Sequence, residues 1–220
     1  MNTRHALPLA VAAALLAGCA RPRLEAALDA KPGPAQVRLK GRALGTTPRV
    51  VRVASLDDVL EISASMDQAK PTETRVRVLS PDSAEVTFFF GEDSSVMAKA
   101  LGLPRVLVFD YGAAPTFEVD KADLAPVFMA MLDRQAKLLT SHFGGIPVYV
   151  CGHTDPTGSA DHNAVLSLRR AEAVAGHLQA HGVEGGLLKP QGFASAYPVA
   201  ANDTPAGRAL NRRTEIILPQ

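Results

Sequence analysis

The 220-residue chain lacks the residues that mark several protein classes. It has no tryptophan, 5% aromatic residues and two cysteines, which excludes a disulfide-rich scaffold and a four-cysteine zinc site. Its 23 basic and 22 acidic residues give a formal net charge of +1, so no overall field attracts nucleic acid. Hydrophobic residues make up 47% of the chain, which excludes disorder along its whole length. We therefore expect folded structure and no nucleic-acid partner.

The first 18 residues have the proportions of a secretory signal peptide. Arg4 gives a basic start, and the apolar run of about 12 residues after it is shorter than a transmembrane helix requires. The run ends in Leu16-Ala17-Gly18-Cys19, which resembles the lipobox of bacterial lipoproteins. The resemblance implies that residues 1–18 are removed and that Cys19 carries lipid, including palmitate-type acyl chains. Because Ala20 follows the cysteine, it also implies an outer-membrane anchor facing the periplasm. The alternative is an ordinary signal peptide, with Cys19 left as a free thiol.

Residues 19–34 are predicted to form a flexible, lipidated tether. The segment contains three prolines, and its apolar content is a short stretch of leucine and alanine. Proline-rich segments with few apolar residues commonly serve as spacers between an anchor and a folded body.

Residues 35–92 are predicted to form a small, β-sandwich-like domain. Alternating or clustered apolar residues indicate short strands, and glycine and proline punctuate them. The string Gly41-Arg42-Ala43-Leu44-Gly45-Thr46-Thr47-Pro48 resembles the signature of PEGA domains, which are small β domains of bacterial envelope proteins. The segment has no convergent polar cluster, so we expect a spacer or a surface that contacts a protein partner. Residues 93–104 are predicted to connect this domain to the next, with a short helix ending at Gly102.

Residues 105–220 are predicted to form an α+β domain. Its elements follow the order β-α-β-α-β-β, which places the helices on one face of a sheet. Amphipathic periodicity predicts helices over 122–140 and 160–181, and apolar runs predict strands at 106–109, 146–150, around 192–193 and at 215–218.

Two strings in this domain are similar to the OmpA-like peptidoglycan-binding family. The first comprises Gly152-His153-Thr154-Asp155, Gly158-Ser159, Asn163, Leu166-Ser167 and Arg170-Ala171. The second comprises Pro198, Asn202, Thr204, Gly207-Arg208 and Asn211-Arg212-Arg213-Thr214-Glu215-Ile216. The similarity extends from about Leu107 to Leu218 in order and spacing, which is far more specific than a lone short motif.

The candidate ligand-binding residues lie at the start of the second helix. At 100° per residue, Asn163, Ser167 and Arg170 share one side of that helix and face the loop that contains Asp155. A carboxylate and a guanidinium held a few ångströms apart suit a zwitterion, because one accepts an ammonium and the other binds a carboxylate. The alternative is a salt bridge between Asp155 and Arg170 that only attaches the loop to the helix.

The family resemblance gives these residues a ligand. It implies that Asp155 and Arg170 hold the free amino-acid end of diaminopimelate in peptidoglycan stem peptides, and that Asn163 and Thr157 position it. It assigns Arg208 and Asn211 a supporting role at the edge of the site. The main hypothesis is therefore non-covalent peptidoglycan binding that tethers the outer membrane to the cell wall.

Two other function classes remain open. The chain could be a scaffold lipoprotein of an envelope secretion or motility complex, with residues 35–92 recruiting a protein partner. A metal-dependent muropeptide hydrolase is the third alternative. Five residues invite a metal hypothesis, and the last two are four residues apart on a helix: His153, Asp155, His162, His177 and His181. However, no spacing supplies three ligands and a general base, and there is no nucleophile elbow, phosphate loop or paired carboxylates. We expect no enzyme activity, no metal and no cofactor.

Overall fold

In a computed structural model, the chain is described over residues 24–91, 94–111, 116–117 and 121–220. The predicted signal peptide and Cys19 lie outside the described residues. The strands are β1 Leu24–Lys31, β2 Gln36–Leu39, β3 Arg42–Thr46, β4 Arg49–Val53, β5 Ile62–Ser65, β6 Glu73–Ser80, β7 Ser83–Phe89, β8 Val106–Asp110, β9 Val148–Gly152, β10 Leu188–Gly192 and β11 Thr214–Pro219. The helices are α1 Leu56–Leu60, α2 Val96–Leu101, α3 Pro126–His142, α4 Ala160–Ala180 and α5 Pro205–Asn211. No helix in these ranges has the length and apolar character needed to cross a bilayer.

The sequence between residues 24 and 31 folds into a strand, which corrects the prediction of a flexible tether there. β1 lies inside the large sheet, antiparallel to β4 and parallel to β7. Its residues alternate strictly between buried and exposed, with Leu24, Ala26, Leu28 and Ala30 on the buried side. This period of two is a strand signal that the nearby prolines outweighed in the sequence interpretation.

One eight-stranded sheet joins the two halves of the chain. Its strand order is β10-β9-β11-β8-β6-β7-β1-β4, so the N-terminal half supplies four strands and the C-terminal half the other four. The halves meet where β6 runs parallel to β8, with Glu73 opposite Val106 and Arg77 opposite Asp110. The predicted segments 35–92 and 105–220 therefore share main-chain hydrogen bonds.

The N-terminal half also forms a separate three-stranded sheet with the order β3-β2-β5. β2 and β3 are joined at Lys40 and Gly41, which both have positive φ values of 50° and 79°. Such a pair matches the right-handed twist of a two-residue hairpin, and glycine adopts it without a steric penalty. The N-terminal half is thus a mostly β region, as predicted, but it includes the short helix α1 and shares the large sheet with the C-terminal half instead of forming a separate sandwich.

The C-terminal half has the predicted strands and helices in the predicted order, and it adds a short helix, α5, between β10 and β11 that was not predicted. α3 begins at Pro126 rather than at residue 122, because proline lacks an N–H group and suits the first helical turn. Leu107 and Phe109 of β8 lie in the large core with Phe128 and Leu132 of α3. On the other face, a smaller cluster comprises Met97, Ala98, Val106, Val108, Cys151 and Ile217.

A buried charge cluster lies at the junction of the two halves, on the face opposite α3 and α4. Arg75 of β6 contacts three carboxylates: its Nε is 2.7 Å from Glu73, and its Nη1 is 3.2 Å from Asp110 and 2.5 Å from Glu215. Arg213 also donates to Glu215 at 2.9 Å. Although burial opposes ionisation, Arg75 and Arg213 hold the pKa of Glu215 well below its usual value.

Candidate ligand-binding site

The candidate site lies where β9 ends and α4 begins. Gly152 is the last residue of β9, and a Cβ atom there would lie 2.0 Å from the backbone oxygen of Ser167. Only glycine allows α4 to cross the strand at this distance. The helix begins after Ser159, whose hydroxyl accepts a hydrogen bond from the amide of His162 at 3.2 Å. The loop between these points is therefore held tightly, and Asp155 lies within it.

Asp155 is buried and ionised. Its Oδ1 accepts a hydrogen bond from the amide of Thr157 at 2.8 Å, and its Oδ2 pairs with Nη1 of Arg212 at 2.6 Å. Burial alone would raise the pKa of Asp155, but the hydrogen bonds from Thr157 and Arg212 hold it below the usual value. A carboxylate of this kind carries its negative charge throughout the neutral range.

Asn163 connects the loop to the helix. Its side-chain amide donates to the backbone oxygens of Asp155 at 3.3 Å and of Thr157 at 3.0 Å. Thr157 itself is exposed, and both its backbone amide and its side chain form hydrogen bonds with the Asp155 carboxylate. Both residues thus fix the shape of the loop that presents the Asp155 carboxylate.

Arg170 lies two turns further along α4. Its Nε donates to the backbone oxygen of Lys121 at 3.0 Å, and its guanidinium carbon lies 4.9 Å from the centre of the Phe117 ring. Stacking on an aromatic ring and a directed hydrogen bond both fix the plane of a guanidinium. The segment that precedes α3 therefore orients this side chain.

The burial of α4 differs in part from the helical-wheel expectation. Asn163, Ser167 and Arg170 share one buried side, as predicted. A helical wheel places Ala164 and Leu168 on the apolar stripe next to this trio and predicts that they are buried. Both are exposed, because the helix turns its polar trio directly toward the loop and the residues after β10. The buried side continues as Ala171, Val174, Ala175 and Leu178.

The segment that contains this loop matches a known protein family. Residues 116–212 match the model of the OmpA family. The matched range includes Asp155, Asn163 and Arg170, and it lies within the C-terminal half. We refer to this part of the chain as the OmpA-like segment.

Individual relatives align over the same part. The chain is 41% identical over 107 residues to "Peptidoglycan-binding protein ArfA" of Mycobacterium tuberculosis, covering 49% of this chain and 32% of that protein. It is 38% identical over 100 residues to "Peptidoglycan-associated lipoprotein" of Pseudomonas aeruginosa, covering 46% and 58%. A solved structure, the cell wall anchor of the T6SS from P. aeruginosa, is 32% identical with a TM-score of 0.45, covering 50% and 79%. The chain thus spans less than two thirds of these two curated relatives.

The OmpA-like segment pairs Asp155 with a residue that sequence reasoning did not place in the site. Among the ion pairs of the described residues, the partner of Asp155 is Arg212, not the Arg170 of the salt-bridge alternative. Arg212 and Arg213 are adjacent between α5 and β11, and their side chains have different partners. Arg213 reaches Glu215 in the junction cluster, and Arg212 reaches the site. The two neighbouring arginines before the last strand were the available signal.

Arg208 and Asn211 lie apart from the carboxylate. The amide of Asn211 makes four hydrogen bonds to residues 199–202, at 2.7 to 3.0 Å. Nη1 of Arg208 donates to the backbone oxygen of Asn202 at 2.7 Å. Both side chains therefore support the loop before α5, and no described contact joins either of them to Asp155.

The remaining ionisable groups near β9 are buried. The ring of His153 stacks on Phe193 at 5.7 Å, and its Nε2 lies 3.5 Å from Glu215. Burial lowers the pKa of His153, which favours the neutral ring. Burial also raises the pKa of the Cys151 thiol far above its usual value. Among the described residues, the group suited to a metal ion is Asp133, His177 and His181, at the other end of α4.

Proposed function

We propose that this chain binds peptidoglycan non-covalently and that the ligand is the free amino-acid end of diaminopimelate. The observation that carries the proposal is the ionised carboxylate of Asp155, held in a rigid loop beside an arginine, within the segment that matches the OmpA family. The name of the mycobacterial relative, which aligns with the same half, supports the ligand class.

The chemistry of the site suits a zwitterion. A ligand ammonium would bind the Asp155 carboxylate, and a ligand carboxylate would bind a guanidinium in a two-point contact. Arg170 is oriented for this role by Phe117 and Lys121. The side chain of Arg212 is 46% exposed, so it can move from Asp155 to the ligand carboxylate when the ammonium arrives.

The other predicted residues act around this pair. Asn163 keeps the Asp155 carboxylate in position through the loop backbone, and Thr157 does so through its own hydrogen bonds to that carboxylate. Arg208 and Asn211 hold residues 199–202, so we assign them an indirect role in ligand binding.

The test is co-sedimentation of the full chain, purified in mild detergent, with insoluble peptidoglycan. Asp155→Ala and Arg170→Ala are each expected to abolish sedimentation, because losing one charge leaves half of the zwitterion unpaired. Free diaminopimelate should compete for binding, whereas 1,5-diaminopentane, which has the same amines without carboxylates, should not.

Matched controls separate the site from general charge effects. Arg169→Ala and Asp161→Ala remove exposed residues of the same helix, and both should sediment like the original chain. Thermal unfolding followed by circular dichroism checks that every variant is folded. Sedimentation of both folded Asp155→Ala and Arg170→Ala variants would refute the assignment.

We also propose that the chain is a lipoprotein of the outer membrane, facing the periplasm. The lipobox-like Leu16-Ala17-Gly18-Cys19 supports this, and one relative is named as a lipoprotein. Labelled palmitate should be incorporated into the chain and be absent from Cys19→Ser. Cell fractionation should then place the variant outside the outer-membrane fraction.

We propose binding rather than catalysis as the activity. The relatives are named for binding to or association with peptidoglycan. Incubation of muropeptides with the purified chain and zinc should release no product, and turnover that disappears in Asp155→Ala would reverse this proposal.

A scaffold role in an envelope complex is the second candidate, favoured by the exposed edge of the large sheet. β4 ends the sheet, and Val50 on it is 59% exposed. A PEGA-like region with such an edge could receive a strand from a protein partner. Deleting residues 35–92 would remove β6 from the shared sheet, so cross-linking should instead compare the full chain with Val50→Lys. Loss of a cross-linked protein, with peptidoglycan binding retained, is the expected result.

A further inference from the structure

Three side chains with metal-ligating atoms meet on the outer surface of α3 and α4. His177 lies in the last turn of α4, His181 caps the C-terminus of that helix, and Asp133 lies opposite them on α3. Oδ1 of Asp133 is 2.7 Å from Nε2 of His177 and 3.3 Å from Nε2 of His181. The ligating atoms of all three lie within 4.8 Å of one another. Periodicity along α4 alone does not reveal this group, because the third member comes from another helix.

A backbone contact fixes which ring nitrogen of His181 faces Asp133. Nδ1 of His181 lies 2.8 Å from the backbone oxygen of His177. A carbonyl oxygen can only accept a hydrogen bond, so Nδ1 carries a proton and Nε2 is the ring nitrogen that is left to bind an ion. Nε2 lies 3.3 Å from the Asp133 carboxylate, so a positive charge between the two atoms, either a proton or a metal ion, stabilises this arrangement. A hydrogen bond from the remote ring nitrogen to a carbonyl is also the usual support of a metal-bound histidine.

We propose that Asp133, His177 and His181 bind one Zn²⁺ ion that links α3 to α4. Bonds of about 2.0–2.1 Å in a tetrahedral site place neighbouring ligand atoms about 3.3 Å apart. The Asp133–His181 separation already has this value, and the Asp133–His177 pair must open by about 0.6 Å. The two imidazole rings are stacked at 4.2 Å, so they rotate about their side-chain bonds to direct both lone pairs at the ion.

The surroundings allow this rearrangement. The side chains of Asp133 and His181 are 45% and 43% exposed, which leaves room for ring rotation and for a water molecule as the fourth ligand. The hydrogen bond from His177 lowers the pKa of Asp133, so its carboxylate is ionised at neutral pH. Two imidazoles with one carboxylate favour zinc over magnesium or calcium, which prefer oxygen ligands.

The site is separate from the candidate peptidoglycan site. His177 follows Arg170 by seven residues, which is about 10 Å along the helix. The ion would thus connect the two helices that cover the sheet without touching the ligand-binding loop. Its expected effect is on the stability of the OmpA-like segment.

The test is zinc titration of the chelator-treated full chain in detergent, by calorimetry and thermal unfolding at pH 7.5. We expect one zinc ion per chain. Free zinc at about one hundred times the dissociation constant should raise the unfolding midpoint by about 5–10 °C. Magnesium at the same concentration should have no effect. Cobalt(II) should give the visible absorption of a tetrahedral complex.

Variants decide whether these three residues are the ligands. Asp133→Asn, His177→Ala and His181→Ala should each reduce zinc affinity by at least about 100-fold, since even lost supporting hydrogen bonds cost 10–100-fold. His142→Ala is the matched control, because it removes an exposed histidine of α3 whose Nε2 pairs with Asp57 at 2.8 Å without a third ligand. It should bind zinc like the original chain.

Three results would overturn the proposal. The first is no zinc binding by the original chain, and the second is binding that survives both His177→Ala and His181→Ala. The third is a stability that depends on pH but not on zinc, which would mean that a protonated imidazole alone supplies the positive charge. Circular dichroism before zinc addition shows whether each variant is folded.

Discussion

Replacing Arg75 with methionine tests whether the two halves of the chain unfold as one unit. Methionine keeps the length of the side chain and removes the charge that links β6 to β8 and β11. The arginine is 11% exposed, and Glu73, Asp110 and Glu215 around it are almost fully buried. Without it, three buried carboxylates each lose a partner.

The loss of unfolding free energy depends on which partners each carboxylate keeps after Arg75 is replaced. Removing one member of a buried ion pair costs about 3–5 kcal/mol of unfolding free energy. Here Asp110 keeps Arg77, Glu215 keeps Arg213, and Glu73 keeps the hydroxyl of Ser95. We therefore expect the lower end, about 3 kcal/mol, which lowers the melting temperature of a chain of this size by about 6–12 °C.

The assay is urea and thermal unfolding followed by circular dichroism. Arg52→Met is the matched control, because Arg52 pairs with Glu25 across neighbouring strands, with side chains 70% and 53% exposed. An exposed pair of this kind contributes at most about 1 kcal/mol. Equal stability of the two variants would refute the reasoning, as would an Arg75→Met variant whose OmpA-like segment unfolds at its original midpoint while the rest melts earlier.

The stability difference between the original chain and Arg75→Met should depend on pH. The depressed pKa of Glu215 means that its stabilising contribution is full above the unfolded pKa of about 4.3 and is lost as the pH falls through the lower folded value. In Arg75→Met the folded pKa rises, so the carboxyl takes up a proton earlier and becomes less costly to bury. The stability difference between the two chains should therefore be smaller at pH 4 than at pH 7.5.

Other substitutions test the packing around β9 and α2 by the same melting assay. Gly152→Ala should lower the melting midpoint by about 6 °C or more, because the added Cβ would meet the α4 backbone. Gly176→Ala is the matched control: it has open space around it and should raise the midpoint slightly. Ser95→Ala should cost about 1–2 kcal/mol, because its hydroxyl caps α2 and bonds to Glu73. The buried Cys151 should resist alkylation until urea unfolds the chain, as measured by mass spectrometry of its peptide; modification of the folded chain would contradict this.

Local patterns predicted most elements of the C-terminal half. The helix ending at Gly102 follows from glycine in the left-handed conformation there, and the common face of Asn163, Ser167 and Arg170 follows from helical periodicity. Residues 24–31 were wrongly predicted to be part of a flexible tether, because this segment contains two sequence patterns that indicate different structures. The alternation of LEAALDAK indicated a strand, and flanking prolines indicated a spacer.

The joining of the two halves through one sheet was not predictable from local sequence. The pairing of β6 with β8 depends on which strand edges remain unpaired after each half has folded. The sequences of the two strands indicate strands but do not indicate that they pair with each other. The charged residues of β6 were one indication, since Arg75 and Arg77 in a strand need buried carboxylates nearby. Their partner Asp110 lies more than 30 residues away, beyond any local pattern.

The sequence by itself determined the OmpA-like elements, the Asp155 loop and the side of α4 that faces it, because each depends on neighbours within about two helical turns. Only the tertiary structure decided the charge partners: Arg212 for Asp155 across 57 positions, Asp133 for His177 across 44, and Arg75 for Glu215 across 140. Ion pairs and metal sites depend on distances of a few ångströms between atoms. Those distances are set by how strands and helices pack, which no spacing along the chain encodes.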